Sequence, residues 1–250
     1  MINDKIISTK SLTIKFSSKT ILSNINLNFN LGEFIVIIGK NGSGKSTLLN
    51  QISGINKPTS GDVFIQNYNT KTLNNKIRAK IVSSIGQFDT SNDDVFVEER
   101  IAHGLASQYG INSLLNYKIL KKIYTIGKTL KILHLFGKHL NKLSGGERKL
   151  THIARCIINE RALVYILDEP FTSLDIPYRK LLYTLLKKKT QSNKCIILST
   201  HDIYLALSIS SRIILLDNKQ ILLNGSPTNT TNTNIINILY GINKKSKNYI

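Results

Sequence analysis

The sequence predicts an α/β domain, a parallel sheet covered by helices on both faces, with a mostly helical segment inserted into it. Three observations carry that expectation. A buried apolar run, "FIVII", feeds directly into the glycine loop "GKNGSGKST" and then into "LLNQISG", which has helical character. Apolar strands alternate with helical patterns through the second half, as parallel pairing with crossovers requires. Between about residues 93 and 159 the apolar spacing changes from that of strands to that of helices.

Taken in order, "SLTIKF" and the alternating "ILSNINLNFN" read as strands, and "EFIVIIG" as a strand buried on both faces. "KSTLLNQISG" reads as a helix that stops at Gly54, followed by the turn signals of "NKPTSGD". "DVFIQ" and "KIVSSIGQF" are predicted strands. "VEERIAHGL", "LKKIYTIGKTLKILHLF" and "GERKLTHIARCIIN" are predicted helices. "ALVYILDEP" is a predicted strand, "DIPYRKLLYTLLKKK" a helix, "KCIILSTHD" a strand and "YLALSIS" a short helix. "RIILLDNKQILLNG" is a hairpin turning at Asp217-Asn218. The predicted organisation is one domain over 1–225, with core 1–90 and 160–225 and the inserted helices at about 91–159. Residues 226–250 are left as a linker and the short helix "NIINILYG". No internal repeat is visible.

At 250 residues the chain holds one such domain and is too short for two, so a mechanism needing two must recruit a second chain. Asp4 and Lys5 sit where a secretory signal needs apolar residues, and nothing approaches the roughly 18 apolar residues of a membrane span, so a cytosolic protein is expected. Cys156 and Cys195 lie in "IARCIIN" and "KCIIL" and read as buried core thiols, with no Cys/His cluster at zinc spacing. The net charge of +19 has two readings, a compositional bias toward Lys, Asn and Ile, and attraction to anionic lipid. A nucleic-acid partner is not expected: the lysines are dispersed, with no aromatic-interleaved basic strand or recognition-helix pattern.

Gly39, Gly44, Lys45 and Ser46 satisfy G-x-x-x-x-G-K-[ST] between a strand and a helix. Glycines let the backbone wrap phosphates so that amides and the helix N-terminus face the charge, with Lys45 on the β- and γ-phosphates and Ser46 on Mg²⁺. Alone, this fits a GTPase, a kinase or a motor equally. "ALVYILDEP" delivers two carboxylates at the end of a buried strand, which suits Asp168 as a metal ligand and Glu169 as the group that polarises water. In "LSGGERK", Ser144, Gly145 and Gly146 open a helix and make a second anion-binding N-terminus. One glycine loop cannot use two such grips unless the second reaches another molecule's nucleotide.

With these motifs in this order, nearly the whole chain resembles the ATP-binding-cassette ATPases. The resemblance implies an ABC-type P-loop fold: a RecA-like core sheet, an N-terminal antiparallel β-subdomain and an inserted α-helical subdomain. The stretch from Gly39 to Thr47, including Asn41, Gly42 and Ser43, matches the Walker A motif, "LSGGE" the signature and "YILDE" the Walker B motif. Gln87 in "SIGQF" matches the Q-loop, "SLD" ending at Asp175 the D-loop, and His201 in "STHD" the switch histidine. Phe16 sits where the family places an aromatic on adenine. The resemblance implies ATP and Mg²⁺ as cofactors, with Mg²⁺ on Ser46, Gln87 and Asp168. Glu169 is then the base, His201 contacts the γ-phosphate, and Asp175 communicates across a head-to-tail homodimer that sandwiches ATP. The chain departs from the family at Lys149-Leu150, where Gln-Arg is usual.

"VFVEERIAHG", "LSGGER", "SLDIPYRKLL" and a tail containing "LYGI" resemble the subunits that power import of iron–siderophore complexes, haem and cobalamin, although zinc and manganese importers share parts of them. This resemblance implies two integral membrane permease subunits docked over roughly Phe88 to Gly104, with Glu98 and Glu99 on that surface. It also implies an extracytoplasmic substrate-binding protein and a peripheral location on the cytoplasmic membrane face. The cassette of iron–sulfur cluster assembly, similar in length, is the alternative from another class.

Overall fold

The computed structural model describes residues 5–86, 94–110 and 116–229. Strands β1 (Lys5–Phe16) and β2 (Lys19–Asn30) form an antiparallel hairpin. Strand β3 (Phe34–Ile38) is buried at every residue. Its alternation divides the molecule: Phe34, Val36 and Ile38 enter one apolar core, Ile35 and Ile37 the other. Helix α1 (Lys45–Ile52) follows the glycine loop, and β4 (Ser60–Ile65) and β5 (Tyr68–Asn69) return to the hairpin. The result is a four-stranded antiparallel sheet in the order β2-β1-β4-β5.

The next stretch corrects one expectation. "KIVSSIGQF" is not a strand from its start: α2 (Asn75–Ile81) takes Lys80 and Ile81, and β6 is only Val82–Ile85. The helix has local causes, since the Asn74 side chain accepts from the Lys76 amide at 2.8 Å and Arg78 and Lys80 sit at the negative end of the helix dipole. Gln87, Phe88 and the rest of that prediction lie outside the described residues.

Four helices then follow, α3 (Val97–Ala102), α4 (Ala106–Tyr109), α5 (Tyr117–Thr129) and α6 (Gly145–Ile157). The helix expected to run through "LKKIYTIGKTLKILHLF" ends at Thr129. Lys131 turns left-handed at φ 57°, and only a 3-10 turn follows at Leu133–Leu135. Packing overrides periodicity here, because the broken path buries Leu130, Ile132 and Leu135 completely.

Strand β7 (Val164–Leu167), helix α7 (Ile176–Gln191), strand β8 (Cys195–Thr200), helix α8 (Ile203–Ile209) and the hairpin of β9 (Arg212–Asp217) with β10 (Gln220–Gly225) complete the fold. Asn218 and Lys219 both have positive φ, the requirement of a tight two-residue hairpin turn. The main sheet has the order β10-β9-β3-β8-β7-β6, parallel except for β10. Helices α3, α5, α6, α7 and α8 cover one face, while α1 and the antiparallel sheet cover the other. Cys156 and Cys195 are buried and free, and burial pushes both thiols up. Among the described residues, no helix is long and apolar enough to cross a membrane.

Candidate functional site

Parallel register sets the site. Ile38 pairs with Thr200, and Leu167 with Leu198, so β3, β7 and β8 end at one edge of the sheet. From that edge issue the glycine loop, Asp168-Glu169 and His201. Ligands of open parallel sheets bind outside such carboxyl ends.

The glycine loop needs its glycines for separate reasons. A Cβ on Gly39 would lie 2.2 Å from the Leu216 carbonyl oxygen, so the loop leaves β3 against the backbone of β9. Gly44 caps α1 at φ 104°, a conformation closed to other residues. Lys45 Nζ donates to the carbonyls of Gly39 (2.9 Å) and Lys40 (3.1 Å). Burial pushes its ammonium below the ordinary lysine range, and the Glu169 and then the Asp168 carboxylate pull it back. Ser43 contributes a buried hydroxyl without a protein partner, an orphaned donor of the kind a phosphate oxygen satisfies. Asn41, Gly42, Gly44, Lys45, Ser46 and Thr47 line an open cleft of about 560 Å³, which Phe16, Glu169, Thr172 and His201 also border. Phe16 is 58% exposed, so this aromatic is a wall of the cleft and not a core residue.

Glu169 is buried and held at φ 47°, which a non-glycine residue adopts only under constraint. Its amide donates to Ser199 Oγ at 2.9 Å, and Thr172 Oγ1 donates to its Oε2 at 2.9 Å. The same oxygen lies 2.9 Å from His201 Nδ1, which carries the proton toward a carboxylate acceptor. Lys149 Nζ donates to its main-chain carbonyl. Asp168, 3% exposed, accepts from Ser199 Oγ. Asp168 and Ser46 line a common recess of about 780 Å³. A hydroxyl and a carboxylate are hard oxygen donors, which suits Mg²⁺ completed by phosphate and water oxygens. Among the described residues there is no cluster of three His, Cys, Asp or Glu able to hold a metal.

The signature residues stand apart. The Ser144 side chain caps α6 by accepting from the Glu147 amide, and Glu147 Oε2 accepts from the Ser144 amide (2.9 Å) and hydroxyl (2.7 Å), a reciprocal capping box. Gly145 is exposed. Ser144 and Gly146 share a small recess with Ser173 and Asp175, separate from the glycine-loop cleft. The structure therefore brings together Phe16, the glycine loop, Asp168, Glu169 and His201, and keeps Ser144, Gly146 and Asp175 in another group. Gln87 lies outside the described residues. Ser199 and Thr172 were not found from the sequence; the only signal for Ser199 is its place two residues before His201 in "STHD", and its bond to Asp168 depends on cross-strand register.

Comparison with known proteins concerns the chain as a whole. The family model described as ABC transporter matches residues 22–172. The spermidine/putrescine import ATP-binding protein PotA of Legionella pneumophila is 34% identical over 223 residues, 89% of this chain and 59% of PotA. This chain thus spans about three-fifths of that relative's length. An uncharacterized ABC transporter ATP-binding protein of Methanocaldococcus jannaschii is 31% identical over 96% of this chain and 82% of its own length. A probable sulfate/thiosulfate import ATP-binding protein CysA of Chlorella vulgaris is 32% identical over 92% and 98%. Among solved structures, the dimeric post-hydrolysis state of the ATP-binding cassette MJ0796 with ADP and Pi superposes with a TM-score of 0.81 at 28% identity, covering 89% of this chain and 99% of that one.

Proposed function

The chain belongs to the ABC transporter family, and from that premise we propose that it is the ATP-hydrolysing subunit of a membrane importer, acting as a head-to-tail pair on two integral permease subunits. The observation that carries the reading is the division of the site. Phe16, the glycine loop, Glu169 and His201 border one cleft, and Asp168 shares an adjoining recess with Ser46, while the second anion grip, Ser144 to Gly146, opens elsewhere on the same chain. Only a second copy can bring that grip to the nucleotide.

In this reading the amides from Gly39 to Thr47 wrap the phosphates, Lys45 leaves its two carbonyls for the β- and γ-phosphate oxygens, and Phe16 stacks on adenine. Ser46 and Asp168, with Gln87, hold Mg²⁺, which supplies charge neutralisation to the phosphates when bound. Glu169 presents Oε1 to water, because Oε2 is committed to Thr172 and His201. Water attacks the γ-phosphorus, its proton passes toward Glu169, and the bond to the β–γ bridging oxygen breaks. His201, bonded to Glu169 through Nδ1, keeps Nε2 for the γ-phosphate. Ser144 and Gly146 of the partner close over that phosphate, and Asp175 reports across the interface. Chemistry then waits on closure.

The helices of about 91–159 are the proposed permease-facing subdomain. Within it Glu98 Oε1 accepts from the Gly137 amide (2.8 Å) and Glu99 Oε2 from the Phe96 amide (3.1 Å), so Glu99, the more exposed, is the cleaner position for a charge-reversal test of docking. Such a subunit lies on the cytoplasmic membrane face, opposite an extracytoplasmic binding protein. For the cargo, "VFVEERIAHG" and "SLDIPYRKLL" support a metal chelate. The relatives named for spermidine/putrescine and sulfate import favour a second reading, a small polar solute.

The test is to immobilise Glu169→Gln with Mg-ATP, pass detergent-solubilised membranes of the native host over it, and identify what is retained by mass spectrometry. A polytopic permease supports the importer, and its own substrate decides between the cargoes. Retention of soluble assembly proteins alone would replace this reading with the iron–sulfur assembly alternative.

A further inference from the structure

Helix α6 carries a lysine that phosphate binding does not require. Lys149 lies one turn beyond the Ser144 cap, partly buried, and its Nζ donates to the main-chain carbonyl of Glu169. Burial pushes its ammonium below the ordinary lysine range, against the pull of the Glu169 and Asp168 carboxylates. Ordering and desolvating a lysine are both unfavourable, so such a placement needs a strong partner; a charge-assisted bond to a carbonyl is about twice as strong as a neutral one.

The partner matters more than the bond. Glu169 has a left-handed backbone, and left-handed φ at a non-glycine residue persists only where its surroundings fix it. Three of the groups that fix it, Ser199, Thr172 and His201, come from β8 or the segments that follow β7 and β8. Lys149 alone among the four comes from α6, the helix whose first turn holds Ser144 and Gly146. A second contact runs alongside, since a Cβ on Gly146 would stand 2.9 Å from the Ser173 carbonyl oxygen. Helix α6 is thus seated against the segment from Glu169 to Ser173 at two points.

We propose that Lys149 is a positioning residue: by holding the Glu169 carbonyl it ties the placement of the signature helix to that of the water-activating carboxylate in the same subunit. A shift of α6 then moves or releases Glu169, so the carboxylate is set for hydrolysis only while α6 is seated. Lysine, where the family usually has glutamine, supplies this link with three donors and a charge. The inference rests on the hydrolytic reading above.

The experiment compares wild type with Lys149→Met, which keeps the apolar stem and removes the donor, and Lys149→Arg, which keeps a charged donor. Steady-state ATP hydrolysis, equilibrium binding of a fluorescent ATP analogue and thermal midpoint are measured on each. Expected for Lys149→Met is a loss of about tenfold in kcat, with KM, nucleotide affinity and thermal midpoint held. Lys149→Arg should recover kcat to within about threefold of wild type. Wild-type kcat in Lys149→Met overturns the proposal, as does an equal fall of kcat, affinity and midpoint in both variants, which marks packing alone. If Lys149→Met does not fold, Lys149→Gln, a neutral donor, takes its place: an intermediate kcat at unchanged affinity supports the link, and an unchanged kcat overturns it. A wild-type protein that binds but does not hydrolyse ATP would remove the underlying hydrolytic reading itself, an outcome distinct from a variant matching an active wild type.

Discussion

In the proposed function the glycine-loop edge and the signature end of the molecule both meet phosphate, yet they are held in opposite ways. At the edge, Glu169 is buried and is bonded through its amide, carbonyl and carboxylate to Ser199, Lys149 and His201, all distant in sequence, as well as to nearby Thr172. At the signature end, Ser144 is exposed, and its amide and hydroxyl are bonded to Glu147, three residues away on the same helix. Long-range anchoring fixes where chemistry happens; local capping preserves a helix end that can be presented to something else. A site divided in this manner separates reactivity from timing. In the proposed function the fixed half sets what is done to the nucleotide, and the presented half sets when.

The largest expected effect tests the fixed half. Glu169→Gln keeps the size and the hydrogen bonds of the side chain but loses the basic oxygen, so hydrolysis should fall by about 10²–10⁴-fold while ATP binding persists. Single-turnover phosphate release beside equilibrium binding separates the two, and near-normal release would remove Glu169 from the role of base. Next in size is the presented half. Gly146→Asp sets a carboxylate at the helix N-terminus proposed to meet phosphate and forces a Cβ to 2.9 Å from Ser173 oxygen. In a Glu169→Gln background, ATP-dependent dimerisation measured by sedimentation should weaken by about tenfold or more, with binding to the monomer kept. A dimer as strong as the parent would show that this helix end never reaches the partner's nucleotide.

The two halves also differed in how far the sequence disclosed them. Each local signal was readable: the strand, loop and helix around Lys45, the apolar run before Asp168, and Ser144 followed three residues later by Glu147. Their distribution between two recesses followed from having one loop and two anion grips. What no local pattern contains is register. Ser199 reaches Asp168 because Leu167 pairs with Leu198, and the left-handed turn at Glu169 is imposed by partners far along the chain. Lys149 stood out as a departure, but its contact with the Glu169 carbonyl depends on how α6 packs against the sheet. The errors have the same origin. Ending α5 at Thr129 buries Leu130, Ile132 and Leu135 together, a tertiary gain that outweighs the helical period of that stretch.

A smaller effect concerns the backbone beneath the fixed half. A Cβ on Gly39 would approach the Leu216 carbonyl oxygen to 2.2 Å and the Ser43 hydroxyl to 2.6 Å, and the backbone of β9 leaves little room to yield. Gly39→Ala should therefore cost about 1–3 kcal/mol, lowering the thermal midpoint by roughly 2–4 °C per kcal/mol. An unchanged midpoint would mean that the loop can shift away from β9, and that the edge is less firmly anchored than its hydrogen bonds imply.

The smallest expected effect belongs to the presented half and follows from its local character. The Ser144 hydroxyl and then its amide donate to Glu147, holding that carboxyl below its ordinary value of about 4.5. A carboxyl whose pKa is depressed on folding contributes stability above its unfolded pKa, and loses it as pH falls through the folded value. The contribution is therefore complete at neutral pH and disappears in the acid range below about pH 4.5. Because Glu147 is partly exposed at the helix end, solvent screens it, and the effect should be a few tenths of a kcal/mol. Glu147→Gln should lower the thermal midpoint slightly at pH 7 and match wild type once both are acidified. A difference that persists at low pH would place the value of Glu147 in packing, not charge. A loss at pH 7 of several kcal/mol would show that the signature end is anchored as firmly as the catalytic edge, and the contrast between the two halves would not hold.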